Sequence, residues 1–155
     1  MNYDIKNIKK LVQADIESLG CFVWGIETVG TLRNSILRIF IDKDCGVTLD
    51  DCETVSRHVS KLLESNDYSL SNLTLEVSSP GIERKFFSNN QYDNFIGSCL
   101  KIRFRNENKY LSIKGILRKV ESNGLTLKTE KEDFFVDFNS IERASLEDKG
   151  VRHAK

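Results

Sequence analysis

The sequence contains few of the residues that enzymes use for chemistry. Its 155 residues include only two histidines, His58 inside a predicted helix and His153 near the end of the chain. It has neither a G-x-S-x-G motif nor a glycine-rich loop that could hold a phosphate. Because acid–base and nucleophilic catalysis need partner groups that are not visible here, we expect a protein that is not an enzyme and has no small-molecule substrate.

Long apolar segments are also missing. No run of about 18 apolar residues occurs, and residues 1–4 do not begin an apolar signal region. We therefore expect no membrane partner and a cytoplasmic location.

The four cysteines form no C-x-x-C pair. Three of them lie within or beside apolar patterns, which predicts buried, reduced thiols at Cys21, Cys52 and Cys99.

Two groups of residues contain possible metal ligands, but neither has the spacing of a known site. Cys45, Cys52 and His58 do not follow a zinc pattern. An acidic cluster lacks the glycine and terminal glutamate of a calcium loop, and its last two members begin a predicted helix, where negative charge is favourable. We expect no metal and no other cofactor, although an acidic surface for a basic partner stays open. The cluster consists of Asp42, Asp44, Asp50 and Asp51.

The first half of the chain alternates between helix and strand patterns. Asp4 can cap a first helix that ends before Gly20. Thr48 can cap a second helix, with Asp51 in the capping-box position. These patterns predict an α-β-β-α-β domain in which two helices cover one face of a three-stranded sheet. The strands are predicted at about 21–29, 35–42 and 73–78.

The second half is dominated by strand patterns. Ser88 and Gln91 form a capping box for a short helix that ends by Gly97. Asn123-Gly124 is a strong two-residue hairpin turn, and Gly115 inside a long strand predicts a bend. The fold class is therefore α+β, with an all-β second part. Its strands are predicted at about 99–105, 110–120, 124–129, 133–138 and 142–146.

The chain's only proline, Pro80, follows the third strand directly. Pro80 and Gly81 fit the central positions of a type II turn, with φ > 0 at the glycine. Alternatively, Ser79 caps a helix that begins at Pro80. In either case we expect a stiff interdomain joint rather than a flexible linker. We assign it to Ser78, Ser79, Pro80, Gly81 and Arg84.

The joint divides the chain into two predicted domains, residues 1–85 and 86–148, followed by a flexible tail at 149–155. The role of the basic residues beside the joint has two interpretations. Arg84 and Lys85 could contact phosphate. Equally, Arg84 could pair with an acidic neighbour, either Glu83 or Glu76.

The charges cancel in number but are unevenly distributed. Residues 1–90 carry 10 basic and 13 acidic side chains, whereas residues 91–155 carry 13 basic and 10 acidic ones. Residues 101–119 hold seven basic groups against the single Glu107, and an acidic stretch follows at 130–148. The seven basic residues are Lys101, Arg103, Arg105, Lys109, Lys114, Arg118 and Lys119.

The basic stretch begins with alternating apolar and cationic residues from Leu100 to Arg105. This alternation predicts that the apolar side chains point into a core and the cations point out. The cations could form a phosphate-binding face. They could equally be a solvated exterior, or an edge strand charged against aggregation. We see no exposed aromatic residues of the kind that stack bases, so we do not expect sequence-specific RNA reading.

Two segments carry a family resemblance. Residues 75–84 read Leu-Glu-Val-Ser-Ser-Pro-Gly-Ile-Glu-Arg, and residues 46–57 read Gly-Val-Thr-Leu-Asp-Asp-Cys-Glu-Thr-Val-Ser-Arg. Both resemble signature blocks of the bacterial ribosome maturation factor RimP family, in the same order. Weaker matches follow at residues 95–97 and 141–146. Lys85-Phe86-Phe87 departs from the family, which usually continues with proline and leucine.

The resemblance implies a fold and a function. A RimP protein carries a small Sm-like or SH3-like β-barrel at its C-terminal end. It is a non-catalytic assembly factor that binds the immature small ribosomal subunit, near the decoding centre, and assists the late arrangement of its rRNA and protein. We accordingly expect the seven basic residues to contact rRNA or ribosomal protein, and we expect a monomer. The alternative is a free-standing Sm-like RNA-binding regulator.

Overall fold

The computed structural model describes residues 4–31, 33–68 and 72–147. By its internal contacts the chain divides between Pro80 and Gly81 into two compact units. No helix in the described ranges has the length and apolarity that a membrane span needs. The predicted tail at 149–155 lies outside the described residues. The division into domains 1–85 and 86–148 stays a prediction, since compactness does not establish independent folding.

The first unit has the predicted α-β-β-α-β order. Strand β1 pairs with β2 in antiparallel fashion and β2 pairs with β3 in parallel, so that β2 is the central strand. A helix precedes β1, and another connects β2 to β3. The elements are α1 (Ile5–Ser18), β1 (Phe22–Gly30), β2 (Ser35–Asp42), α2 (Leu49–Ser65) and β3 (Leu73–Ser78).

Both helices begin at the predicted caps. The Asp4 carboxylate accepts a hydrogen bond from the backbone N–H of Lys6 at 3.0 Å. At α2 the Thr48 hydroxyl accepts from the Asp51 N–H at 3.1 Å, and the Asp51 carboxylate accepts from the Thr48 N–H at 2.9 Å. These bonds satisfy donors that a helix N-terminus leaves unpaired. Asp51 of the acidic cluster therefore acts as a helix cap, and it also forms an ion pair with Lys43 at 3.0 Å.

The core of the first unit lies between the two helices and one face of the sheet. Each of the three elements presents an apolar stripe at the spacing of its own secondary structure. The resulting layer of two helices on a three-stranded sheet matches the expectation. The fully buried contacts are Ile8, Val12 and Ile16 from α1, Leu37, Ile39 and Ile41 from β2, and Val59 and Leu63 from α2.

The second unit contains a five-stranded antiparallel sheet in the order β7-β6-β5-β4-β8. The predicted short helix is a 3-10 helix at Asn89–Phe95, and another connects β7 to β8 at Phe138–Ser140. Strand pairing is continuous from β7 to β8, which confirms the five-stranded sheet. Its closure into a barrel stays a prediction. The strands are β4 (Cys99–Asn106), β5 (Lys109–Val120), β6 (Gly124–Lys128), β7 (Asp133–Asp137) and β8 (Ile141–Leu146).

Gly115 allows two strands of this sheet to approach closely. A Cβ atom at this position would lie 2.8 Å from the carbonyl oxygen of Lys128 on β6, which is too close for any side chain. Gly115 therefore has a steric role in β5, and the bend predicted at this position stays a prediction. The core on the inner face of the sheet is built from fully buried leucines and isoleucine: Leu100, Ile102, Leu117, Leu125 and Leu127.

Candidate nucleic-acid interface

Strand β4 separates an apolar face from a cationic one. Leu100, Ile102 and Phe104 are buried, whereas the three cations between and after them are exposed. Successive side chains of a strand point to opposite faces, so Lys101, Arg103 and Arg105 lie together on the outer face of the sheet. The predicted alternation is confirmed.

The neighbouring strands extend this outer face. Lys101 lies opposite Lys114 of β5 and Ser145 of β8, and Arg103 lies opposite Ser112 and Arg143. Residues directly opposite one another in antiparallel strands share a face. Three adjacent strands, β5, β4 and β8, therefore present one continuous basic surface, here called the cationic face. It consists of Lys101, Arg103, Arg105, Lys114 and Arg143.

The remaining predicted residues lie elsewhere in the unit. Lys109 is one residue away from Tyr110, which lies opposite Arg105, so alternation places Lys109 on the other side of β5. Arg118 and Lys119 lie beyond the segment of β5 that pairs with β4, at and next to a β-bulge opposite β6. Arg118 is 3.8 Å from Asp133, and Lys119 is 3.7 Å from Glu121. The sheet thus brings four of the seven predicted cations together and separates the other three.

Acidic side chains partly neutralise the cationic face. Arg103 Nε lies 2.6 Å from a Glu142 carboxylate oxygen, and Lys114 Nζ lies 3.5 Å from Glu147. Among the residues that the structure describes, Lys101 and Arg143 form no ion pair. Exposed ion pairs contribute only about 0–1 kcal/mol, so a phosphate could replace either carboxylate at little cost.

A cavity of about 440 Å³ opens on the cationic face. Lys101, Arg103 and Arg143 contribute cations to its wall, and Ser112 and Ser145 contribute hydroxyl groups. Two carboxylates, from Glu83 and Glu147, and the side chain of Leu146 complete the lining. Cationic and hydroxyl donors converging on one hollow are suited to an anion with several acceptor oxygens, such as a phosphate.

An aromatic ring stands beside this cavity, contrary to the expectation from the sequence. Tyr110 is 48% exposed, and the guanidinium carbon of Arg103 lies 4.8 Å from the centroid of its ring. A second exposed ring, Phe135, lies on the edge strand β7. The expectation that no aromatic side chain is available for stacking is therefore wrong. The exposure of these rings depends on cross-strand register, which local sequence does not reveal.

The segment after β3 was predicted to be a stiff joint. Gly81 has φ of +85°, as the turn prediction required. The turn itself lies at Ile82 and Glu83 rather than at Pro80-Gly81, and residues 79–88 contain no helix, so the alternative of a helix capped by Ser79 is wrong. Ser78 is the last residue of β3. The stiffness of the joint stays a prediction.

Within the second unit, the residues after Gly81 add to the edge of β8. The carbonyl of Arg84 accepts a hydrogen bond from the Leu146 N–H, and the N–H of Phe86 donates to the carbonyl of Ala144, each at 2.9 Å. The Arg84 guanidinium lies 5.6 Å from the centroid of the Phe95 ring. In the first unit Glu76, one of the acidic partners considered for Arg84, is bonded to Arg38 at 3.0 Å.

Residues 11–83 match the family model of the RimP N-terminal domain. The matched range includes both long motifs apart from the final Arg84, and it spans most of α1 and all of β1 to β3. The chain contains a RimP N-terminal domain. RimP is a family of ribosome maturation factors, so the partner that this domain implies is related to the ribosome. The cationic face lies beyond the matched range, in the second unit.

The predicted burial of the cysteines is only partly confirmed. All four cysteines are free, and Cys21 is buried, but Cys52 and Cys99 are half-buried and Cys45 is exposed. Burial raises the pKa of the Cys21 thiol and of the Cys52 thiol, so both are protonated at neutral pH. Within the described ranges no three histidine, cysteine or acidic side chains are grouped so that they could hold a metal ion.

Proposed function

We propose that this protein is a non-catalytic assembly factor that binds the immature small ribosomal subunit and assists its late maturation. The observation that carries the proposal is the match of residues 11–83 to the RimP N-terminal domain. The proposal includes a cytoplasmic location, a monomeric state, and no membrane or small-molecule partner. It also includes closure of the five-stranded sheet into an Sm-like barrel.

The cationic face is the proposed contact with the ribosomal precursor, at rRNA or at ribosomal protein near the decoding centre. Its five cations on three adjacent strands outnumber three carboxylates, the paired Glu142 and Glu147 and Glu83 in the cavity wall. Binding of phosphates to such a surface releases condensed counterions, which makes the interaction favourable and dependent on salt. Since rRNA carries such phosphates, rRNA is favoured over ribosomal protein as the partner of this face.

The first unit supplies a second, less basic contact in this proposal. Asp44 and Asp50 are exposed next to the start of α2 and could meet a basic segment of ribosomal protein. Each contact alone would be weak. Because both units belong to one chain, binding of one raises the effective concentration of the other for a partner that carries both sites.

Co-sedimentation with immature and mature small subunits tests the proposal. We expect the protein to pellet with immature subunits and to remain largely in the supernatant with mature ones. The competing function is a free-standing Sm-like RNA-binding regulator, which the basic surface of the second unit would also suit. Equal binding to immature subunits, mature subunits and bulk RNA would support the regulator and contradict the assembly factor.

A further inference from the structure

We propose that Tyr110, Arg103 and the neighbouring cavity form a binding site for one unpaired nucleotide of a single-stranded RNA segment. The base stacks on the Tyr110 ring, and the adjoining phosphate enters the cavity. This inference rests on the proposed rRNA contact of the cationic face and specifies the form of RNA that the face recognises.

The position of Tyr110 suits it for stacking. Tyr110 lies opposite Arg105 and diagonal to Arg103 on the outer face of the sheet, and about half of its surface is exposed. Diagonal neighbours in an antiparallel pair are within reach of long side chains. The Arg103 guanidinium, 4.8 Å from the ring centroid, holds the ring in place through a cation–π contact. A base can then stack on a ring whose orientation is already set.

The cavity supplies the phosphate contacts. Lys101 and Arg143 line it and have no ion-pair partner among the described residues, so both are available to an incoming anion. The hydroxyls of Ser112 and Ser145 lie on the two strands that flank β4 and add neutral donors. Arg103 belongs to both parts of the site, since it touches the ring and also lines the cavity.

The combination of ring and cations favours single-stranded RNA over other anions. The bases of a duplex are stacked on one another, so a duplex could use the cations but not the ring. An acidic peptide would likewise contact the cations without needing an aromatic surface. Stacking on an aromatic side chain beside a basic groove is the way in which proteins hold single strands without reading their sequence.

A titration of the full chain by NMR tests the site with three probes: a single-stranded RNA hexanucleotide, the same hexanucleotide in a stable hairpin stem, and hexaglutamate. We expect the single strand to bind most tightly and to shift the amide signals of Tyr110, Ser112, Lys101 and Arg143. Equal affinity for the stem or for hexaglutamate would overturn the proposal.

Substitutions separate stacking from charge. Tyr110→Leu should weaken binding of the single strand roughly 5- to 150-fold, and Tyr110→Phe should bind like the wild type. Because no charge is removed, the slope of log affinity against log salt concentration should be the same for Tyr110→Leu and the wild type. Arg143→Gln should reduce the magnitude of this slope by about 0.7. Phe135→Leu removes a similarly exposed ring from β7 and serves as the control. Wild-type affinity of Tyr110→Leu, or an equal loss in Phe135→Leu, would overturn the site.

Failure of this inference can be told apart from failure of the proposed function. If Tyr110→Leu binds both the hexanucleotide and immature subunits like the wild type, the nucleotide site is wrong and the assembly-factor proposal stands. If the hexanucleotide results are as expected but the wild-type protein does not bind immature subunits, the site stands as an RNA site and the assembly-factor proposal fails.

Discussion

Arg103 on β4 and Glu142 on β8 form an ion pair of 2.6 Å on the outer face of the second unit's sheet. Both side chains are about half exposed, so the pair adds only about 0–1 kcal/mol to folding. Its larger consequence concerns binding, because the Glu142 carboxylate occupies a guanidinium that a phosphate would otherwise contact. In the proposed RNA contact, Glu142 therefore competes with RNA at the centre of the cationic face.

Replacing this competitor should strengthen binding to ribosomal precursors. In Glu142→Gln the Arg103 guanidinium is free to contact phosphate, and we expect tighter binding, roughly two- to tenfold, and a steeper salt dependence. Glu121→Gln is the matched control, since it makes the same change of net charge beside Lys119, outside the cationic face. Equilibrium binding to immature subunits across a salt series measures the affinity and the salt dependence of each variant. Equal strengthening by the two variants would show that net charge alone matters.

Substitutions at Gly81 should destabilise the protein although the space around this residue is open. Apart from its two chain neighbours, no residue comes within 4 Å of the position that a Cβ atom at Gly81 would take, so a substitution is penalised mainly by the φ of +85°. We expect Gly81→Val to reduce the free energy of unfolding by roughly 1–3 kcal/mol. Gly81→Asn should cost less, since asparagine tolerates this conformation better. Urea denaturation measures both, and equal stability of the Val and Asn variants would contradict the assigned backbone conformation.

Tyr92 should make the protein less stable at alkaline pH. Burial raises the pKa of its hydroxyl from 10.0 to about 12. A tyrosine whose folded-state pKa is raised stabilises the fold fully below its unfolded pKa, and this contribution is lost as the pH rises from 10 towards 12. Between pH 10 and 12 the free energy of unfolding of the wild type should fall by up to about 3 kcal/mol more than that of Tyr92→Phe. Unfolding free energies measured from pH 9 to 12 test this, and parallel curves for the two proteins would refute it.

Local features of the fold were predictable from the sequence because their causes are local. The caps at Asp4 and Thr48 need only residues within one helical turn, and both are present. Likewise, strand alternation from Leu100 to Arg105 determines which side chains face the core, whatever the partner strands are. The positive φ of Gly81 was predictable because this glycine directly follows Pro80.

Features that depend on pairing between distant segments could not be predicted. Arg143 joins the cationic face only because β8 pairs with β4 in a register that sets Arg143 opposite Arg103. In the sequence it lies inside an acidic stretch, so its neighbours do not indicate that it belongs to a basic surface. Conversely, Lys109 and Lys119 belong to the basic stretch but not to the face. Alternation turns Lys109 to the other side of β5, and Lys119 lies beyond the segment of β5 that pairs with β4. Register and bulges therefore decide the site's composition.

The most direct test of the account is a comparison of two triple charge reversals in binding to immature small subunits. One variant combines Lys101→Glu, Arg103→Glu and Arg105→Glu on the cationic face. The other combines Lys109→Glu, Arg118→Glu and Lys119→Glu, which change the net charge equally but lie off that face. Exposed charges contribute little to folding, so both variants should melt near the wild-type temperature.

Affinity is then measured by co-sedimentation across a salt series. We expect the first variant to lose at least about tenfold in affinity, and its binding to depend less on salt, because fewer counterions are released. The second variant should bind nearly as tightly as the wild type. If the first variant binds immature subunits like the wild type at every salt concentration, or if both variants lose affinity equally, the cationic face is not the contact with the ribosomal precursor.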